Sequence, residues 1–199
     1  MFIELTEALR CPNRHDESYL ICAPVTMDGR DVVRGGLLCP VCRAEYAILD
    51  RVAWLAPPRD DAPAGAAGSA LTAEAVQLFL DLQGQGGFVV TVGSAGRLGP
   101  ELAALMPGIG IAAVNPPAGI AASASLSVIH SPHAWPVRRQ TVRAVVIGAD
   151  VTAGRCIPDA VGSVLNGLRA IVEDESAHPD GLVELARGAG VFVGEKRAR

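Results

Sequence analysis

The chain has 199 residues, a formal net charge of −4, and a hydrophobic fraction of 50% with only 4% aromatics. That length suits one α/β domain plus a small module, and the acidic balance excludes the whole-chain electrostatic footprint of a nucleic-acid binder. Ala, Val, Leu and Gly must fill the core, and a mean hydropathy of +0.32 predicts a surface partly covered by a protein partner.

Residues 2–9 read as a short helix or turn, and Glu4 and Glu7 break any signal-peptide pattern there, so a cytoplasmic location is expected. Five cysteines in such a compartment point to metal rather than disulfides. Cys11-Pro12-Asn13-Arg14-His15 leads into an extended stretch at 18–24, a polar turn at 27–31, a return strand at 32–38, and then Cys39-Pro40-Val41-Cys42. Two Cys-led knuckles around a strand pair are the layout of a zinc ribbon. Cys-x-x-Cys turns two thiolates toward one ion, and a module at 1–56 with few large side chains needs such a staple. The ligands read as Cys11, Cys39, Cys42 and His15, with Cys22 the substitute for His15. The competing reading makes Cys11 and Cys22 plain buried thiols. Acidic residues outnumber arginines in 1–56, which speaks against an RNA-binding ribbon.

The frame Leu5-Thr6-Glu7-Ala8-Leu9-Arg10-Cys11-Pro12, with Leu38-Cys39-Pro40-Val41-Cys42-Arg43-Ala44-Glu45-Tyr46-Ala47-Ile48-Leu49-Asp50, resembles the small zinc-ribbon proteins that activate tRNA and protein methyltransferases. In that family the second Cys-x-x-Cys runs into a Tyr-Pro-Ile-x-x-Gly-Ile-Pro strand. Here Tyr46, Ile48 and Asp50 are kept, Ala47 replaces the proline and Arg51 the glycine. The resemblance covers about a quarter of the chain and implies partner binding through the ribbon and its flanking apolar surface.

Residues 57–70 are rich in Pro, Ala, Gly and Asp and read as a linker. Thr72 is expected to cap a helix with Ala75, Val76, Phe79 and Leu80 inward. Next comes an apolar β-branched strand at 88–92, running into Gly93, Gly96 and Gly99 and a helix opened by Pro100. This is strand, tight turn, helix: the first unit of an open α/β sheet, whose turn lets backbone approach a nucleotide-like ligand. No membrane helix follows, because the longest apolar stretch, 109–126, is broken by Asn115, Pro116 and Pro117. Further strands are predicted at 110–114, 126–129, 142–147, 168–172 and 191–193, with helices opened by Pro158 (Ala160, Val161, Val164 and Leu165 inward) and spanning 180–188. Such alternation predicts a doubly wound, mostly parallel Rossmann-like sheet in the order 3-2-1-4-5, with the 88–92 strand central and the last strand beside the fifth.

From Leu71 onward (residues 71–199), the strand and turn at 89–99 and Val164-Leu165-Asn166-Gly167-Leu168-Arg169-Ala170-Ile171-Val172 resemble class I S-adenosylmethionine-dependent methyltransferases. The resemblance implies S-adenosylmethionine as cofactor, with Gly93, Gly96 and Asn115 as the cofactor-binding positions. It also exposes departures. Thr91 stands where the family has a carboxylate, Ala95 and Arg97 interrupt the glycine pattern, and Asn115 replaces the acid that accepts the ribose hydroxyls. The expectation is therefore a non-catalytic, methyltransferase-like binding subunit of a larger assembly, with no catalytic residue assigned. The alternative is an active methyltransferase with an atypical pocket. Asp150, His130 and His133 are acid–base candidates that read more simply as turn or packing residues, and Cys156 as a buried small side chain. Asn115-Pro116-Pro117 mimics an amino-methyltransferase motif but follows the second strand instead of the fourth, and Arg138-Arg139 reads as a solvated loop.

Overall fold

The computed structural model describes residues 1–56, 71–151 and 156–197. The predicted linker at 57–70 lies outside the described residues. A 3-10 helix, Ile3–Ala8, precedes strands β1 (Ile21–Asp28), β2 (Asp31–Leu38), β3 (Glu45–Leu49) and β4 (Val52–Trp54). Then follow α1 (Ala73–Leu80), β5 (Phe88–Val92), α2 (Gly99–Leu105), β6 (Gly110–Val114) and β7 (Leu126–His130). The chain goes on through β8 (Ala144–Ile147), α3 (Cys156–Ser163), β9 (Arg169–Val172), β10 (Leu182–Gly188) and β11 (Val191–Lys196).

The strands form one mixed sheet in the order β1-β2-β3-β4-β7-β6-β5-β8-β9-β11-β10. From β4 to β9 every neighbouring pair is parallel. The five strands β7-β6-β5-β8-β9 therefore take the predicted order 3-2-1-4-5, with β5 at the centre. Its short β-branched run is buried on both faces, as parallel strands demand. β11 runs antiparallel beside β9.

One predicted element is corrected. Residues 182–188 form β10, not a helix, because Ala189 and Gly190 take positive φ (52° and 78°) and close a tight hairpin with β11. The helices also bury fewer residues than expected. Thr72 Oγ1 accepts the Ala75 N–H at 3.2 Å as predicted, and α1 buries Ala73, Val76 and Leu80, but Phe79 is 37% exposed. Leu165, predicted inward, lies beyond α3 and is also 37% exposed.

α1 and α2 cover one face of the sheet, packing Val76, Leu80 and Leu102 against Val89, Ile111 and Val146. The opposite face is not simply wound by helices. Beside α3 it is covered by Met1, Leu5 and Leu9 of the N-terminal segment and by Trp135 and Val137 of the β7–β8 connection, all in one core with Val90, Ala112 and Val145. Backbone hydrogen bonds lock these pieces together: Arg10 N–H to Pro136 O at 2.8 Å and Arg138 N–H to Ala8 O at 2.7 Å. Phe2 N–H also donates to the fully buried Ser127 Oγ at 3.0 Å. The Cys-bearing strands thus join the central sheet through β4–β7, where Trp54 stacks on His130 with ring centroids 4.3 Å apart.

Candidate functional site

Two Cys-led turns meet at the end of the β1–β3 sheet segment. The first is closed by Cys11 N–H to Ser18 O at 3.0 Å; the second by Arg43 N–H to Cys39 O at 3.0 Å and Cys39 N–H to Ala44 O at 2.9 Å. Arg43 makes the second turn possible by taking a left-handed φ of 59°. The result brings the Cys11, Cys39 and Cys42 sulfurs and a His15 ring nitrogen within 4.8 Å of one another. Cys11 Sγ lies 3.6 Å from Cys42 Sγ, and Cys39 Sγ lies 3.4 Å from His15 Nε2. A tetrahedral ion with metal–sulfur bonds of about 2.3 Å spaces its sulfurs by about 3.8 Å, whereas a disulfide needs about 2.05 Å. The spacing and the S₃N donor set fit a tetrahedral, thiophilic divalent metal.

The surrounding contacts prepare each ligand. His15 Nδ1 lies 2.6 Å from the Asp16 carbonyl, which can only accept, so Nδ1 carries the proton and Nε2 keeps its lone pair toward the sulfurs. Cys11 Sγ lies 3.2 Å from Tyr46 OH, and Asn13 Nδ2 donates to Cys42 Sγ at 3.4 Å. A backbone hydrogen bond from Ala44, then the Asn13 amide, lowers the exposed Cys42 thiol to about 6. Burial pushes Cys11 up to about 11, partly opposed by the Tyr46 hydrogen bond. Cys22, the substitute ligand, does not join the cluster. It sits on β1 against the core, its thiol raised by burial.

Beside the cluster, a cavity of about 520 Å³ opens at the carboxyl ends of β5 and β6. Gly93, Asn115, His133 and Asp150 border it, and Pro12 and Arg14 of the first Cys turn form part of its wall. The positions expected to face a cofactor are in close contact with their own neighbours. Gly93 has φ +59°, and a Cβ there would lie 2.5 Å from Asp150 Oδ1. That same oxygen accepts the Ser94 N–H at 2.7 Å. Gly96 is packed on Pro116, which a Cβ would meet at 2.6 Å. The Asn115 amide spans Ser131, donating to its carbonyl at 3.0 Å and accepting its N–H at 2.7 Å.

The two residues that interrupt the glycine pattern do not crowd the cavity. Ala95 is buried among the α1–α2 side chains, away from the cavity. Arg97 also turns away, giving a bidentate pair to the fully buried Glu173 carboxylate at 2.5 and 3.0 Å and further hydrogen bonds to Ser94 O and Leu71 O. Asp150, singled out as a turn-stabilising acid, is the group seated on the glycine turn. His130 ends β7 in its stack with Trp54, and burial lowers its pKa; His133 alone of the two reaches the cavity. Arg138, expected to be solvated, donates to Glu7 O at 3.1 Å and so helps hold the N-terminal segment. Tyr46, Asn13 and Asp16 were not assigned a role from sequence. Tyr46 stood out only as a kept position of the ribbon resemblance.

Among the described residues, no helix is long and apolar enough to cross a membrane. The architecture is a mixed α/β fold on a large sheet with a parallel centre. No protein-family model and no curated protein matches the chain. Two solved structures similar to it are crystal structures of the antibiotic-resistance methyltransferase Kmr. They show 16% and 15% identity at TM-scores of 0.39 and 0.40, covering 68% and 67% of this chain and 98% of that chain in both cases. Similarity this low leaves the site to be judged from its own residues.

Proposed function

We propose that the chain is a non-catalytic, methyltransferase-like protein that acts as a binding subunit of a larger cytoplasmic assembly. In this reading residues 1–56 are a zinc-ribbon module, 57–70 a linker, and 71–199 a methyltransferase-like domain. Zinc held by Cys11, His15, Cys39 and Cys42 supplies a structural cross-link between the two turns, with all four tetrahedral positions filled by protein and none open for chemistry.

The observation that carries the non-catalytic reading is the Asp150 carboxylate seated against Gly93 and hydrogen-bonded to Ser94 N–H at 2.7 Å. A cofactor with a carboxylate of its own would meet like charge where it needs donors. The Asn115 amide is tied to the Ser131 backbone through one donor and one acceptor, which fixes its orientation and leaves a single N–H and one uncharged lone pair in place of the acid that accepts both ribose hydroxyls. A protein partner is supported by Tyr19, Ile21, Val25 and Met27, all exposed on or beside the outermost strand β1. Pro24 and the irregular register around Val25 blunt that edge against backbone pairing, so the partner would be met by side chains.

One observation favours the second reading, an active S-adenosylmethionine-dependent methyltransferase with an atypical pocket. The cavity of about 520 Å³ is large enough for a metabolite and lies at the carboxyl ends of central parallel strands. Thermal unfolding with and without about 1 mM S-adenosylmethionine tests the choice. A micromolar site would stabilise the fold by about 4 kcal/mol at that concentration, a shift of several degrees. The expected result is no shift; a clear rise would put the second reading first.

A further inference from the structure

The three cysteines of the cluster differ sharply in access. Cys11 is 5% exposed and Cys39 fully buried, whereas Cys42 stands exposed on its turn. Cys42 Sγ is in contact with Cys11 Sγ at 3.6 Å, while Cys39 Sγ faces His15 Nε2 at 3.4 Å. Reaching a disulfide bond of about 2.05 Å from that contact takes an approach of about 1.5 Å. Cys42, on an exposed turn, is the sulfur with room to make it, whereas Cys11 is packed in the core. Cys22 on β1 and Cys156 on α3 are half-buried and lie outside the cluster. A metal-bound cysteine is a thiolate, the nucleophilic form of the side chain. Access therefore decides which of the three sulfurs meets a reagent from solvent. The two turns also run directly into the exposed apolar edge: Tyr19 pairs with Arg10 and Ile21 with Leu38, the residues preceding Cys11 and Cys39.

We propose that Cys42 is a peroxide-sensitive thiolate and Cys11 the thiolate that resolves it, so that a peroxide links the two Cys turns by a disulfide and expels the metal. The Cys42 sulfur attacks one peroxide oxygen; the O–O bond breaks, hydroxide leaves, and the sulfur becomes a sulfenic acid. The Cys11 thiolate then attacks that sulfur; the S–S bond forms, the S–O bond breaks and a second hydroxide leaves. Two thiolates are thus oxidised to one disulfide as one peroxide is reduced to two hydroxides. With Cys11 and Cys42 joined, the ion keeps only Cys39 and His15 and is released. Expulsion of the metal rests on the zinc reading of the cluster, whereas the disulfide rests only on the contact between Cys42 and Cys11.

The full chain, with its metal content measured, is treated with a small excess of hydrogen peroxide. Released zinc is followed with a chromophoric chelator, and the protein is then alkylated and digested with trypsin without reduction. Cleavage after Arg10, Arg14, Arg34 and Arg43 places Cys11 in one peptide and Cys39 with Cys42 in another. Fragmentation between Pro40 and Val41 tells the last two apart. The expected result is a peptide pair joined through Cys11 and Cys42, formed in step with zinc release. Dithiothreitol and fresh zinc should reverse both changes. A Cys39–Cys42 link, oxidised Cys42 with no disulfide, or earlier modification of Cys22 or Cys156 overturns the proposal. Bound zinc that peroxide does not displace also overturns it and leaves the metal reading intact. A Cys11–Cys42 link in protein that binds no zinc would keep the reactive thiol pair and remove the metal reading, so the two failures are separable.

Discussion

At the residue scale, the Cys11–His15–Cys39–Cys42 cluster shows how neighbouring side chains prepare a site. Three thiolates around the proposed ion would concentrate negative charge, and the Tyr46 hydroxyl and Asn13 amide lie within reach to share it. Tyr46→Phe removes one donor while keeping the ring. It should lower zinc affinity by about tenfold, read by competition with a chromophoric chelator. Unchanged affinity would leave Tyr46 a packing residue. Asp150 acts at the other end of the cavity, joining the turn after β8 to the turn after β5. Asp150→Ala leaves the Ser94 N–H without its acceptor and should cost about 1–2 kcal/mol in denaturant unfolding. Gly93→Ala forces a Cβ at a φ of +59° against Asp150 and Val151. Its cost should be smaller in the Asp150→Ala background, where one of the two clashes is gone, and equal costs would show that the carboxylate does not press on Gly93.

At the element scale, the central sheet was legible because its strands are short runs rich in β-branched residues or Ala/Val. Phe88–Val92, between Gly87 and Gly93, and Gly110–Val114, followed by Asn115, show it best. β10 was not, because its charged residues suit an exposed edge strand and an exposed helix alike. The missed signal was Gly188-Ala189-Gly190, a turn able to take positive φ between two runs of alternating character. The stack of Trp54 on His130 joins β4 to β7 and carries its own pH dependence. Burial holds the His130 imidazole below its ordinary 6.5. On acidification the unfolded chain takes up the proton first, so stability present above that value falls as pH drops through it. His130→Phe keeps an aromatic ring on Trp54 and should lose less stability than wild type between about pH 7.5 and 5.5. Parallel losses in urea midpoints would show that this stack is not a source of the acid sensitivity.

At the scale of the whole molecule, sequence periodicity finds elements, but it does not say which segment covers a sheet face. The face expected to be wound by helices is closed largely by Met1, Leu5, Leu9, Trp135 and Val137, contacts that join residues more than a hundred positions apart. The Cys/His cluster was readable because metal sites demand fixed residue types at short spacings, and the structure brings those four side chains together. The engagement of Asn115 with Ser131, and of Asp150 with the Gly93 turn, was not, because both depend on loops brought together only by the sheet order. Those two contacts engage the Ser94 N–H and fix the Asn115 amide beside the cavity at the carboxyl ends of β5 and β6, which the proposed function reads as a cleft that no longer holds a cofactor. Titration calorimetry of zinc-loaded protein with S-adenosylmethionine at micromolar concentration measures the consequence directly. Loss of two charge-assisted contacts, about 3 to 6 kcal/mol, takes a micromolar site to about millimolar or weaker. The predicted outcome is no saturable heat; a saturable isotherm with a micromolar Kd would contradict the account.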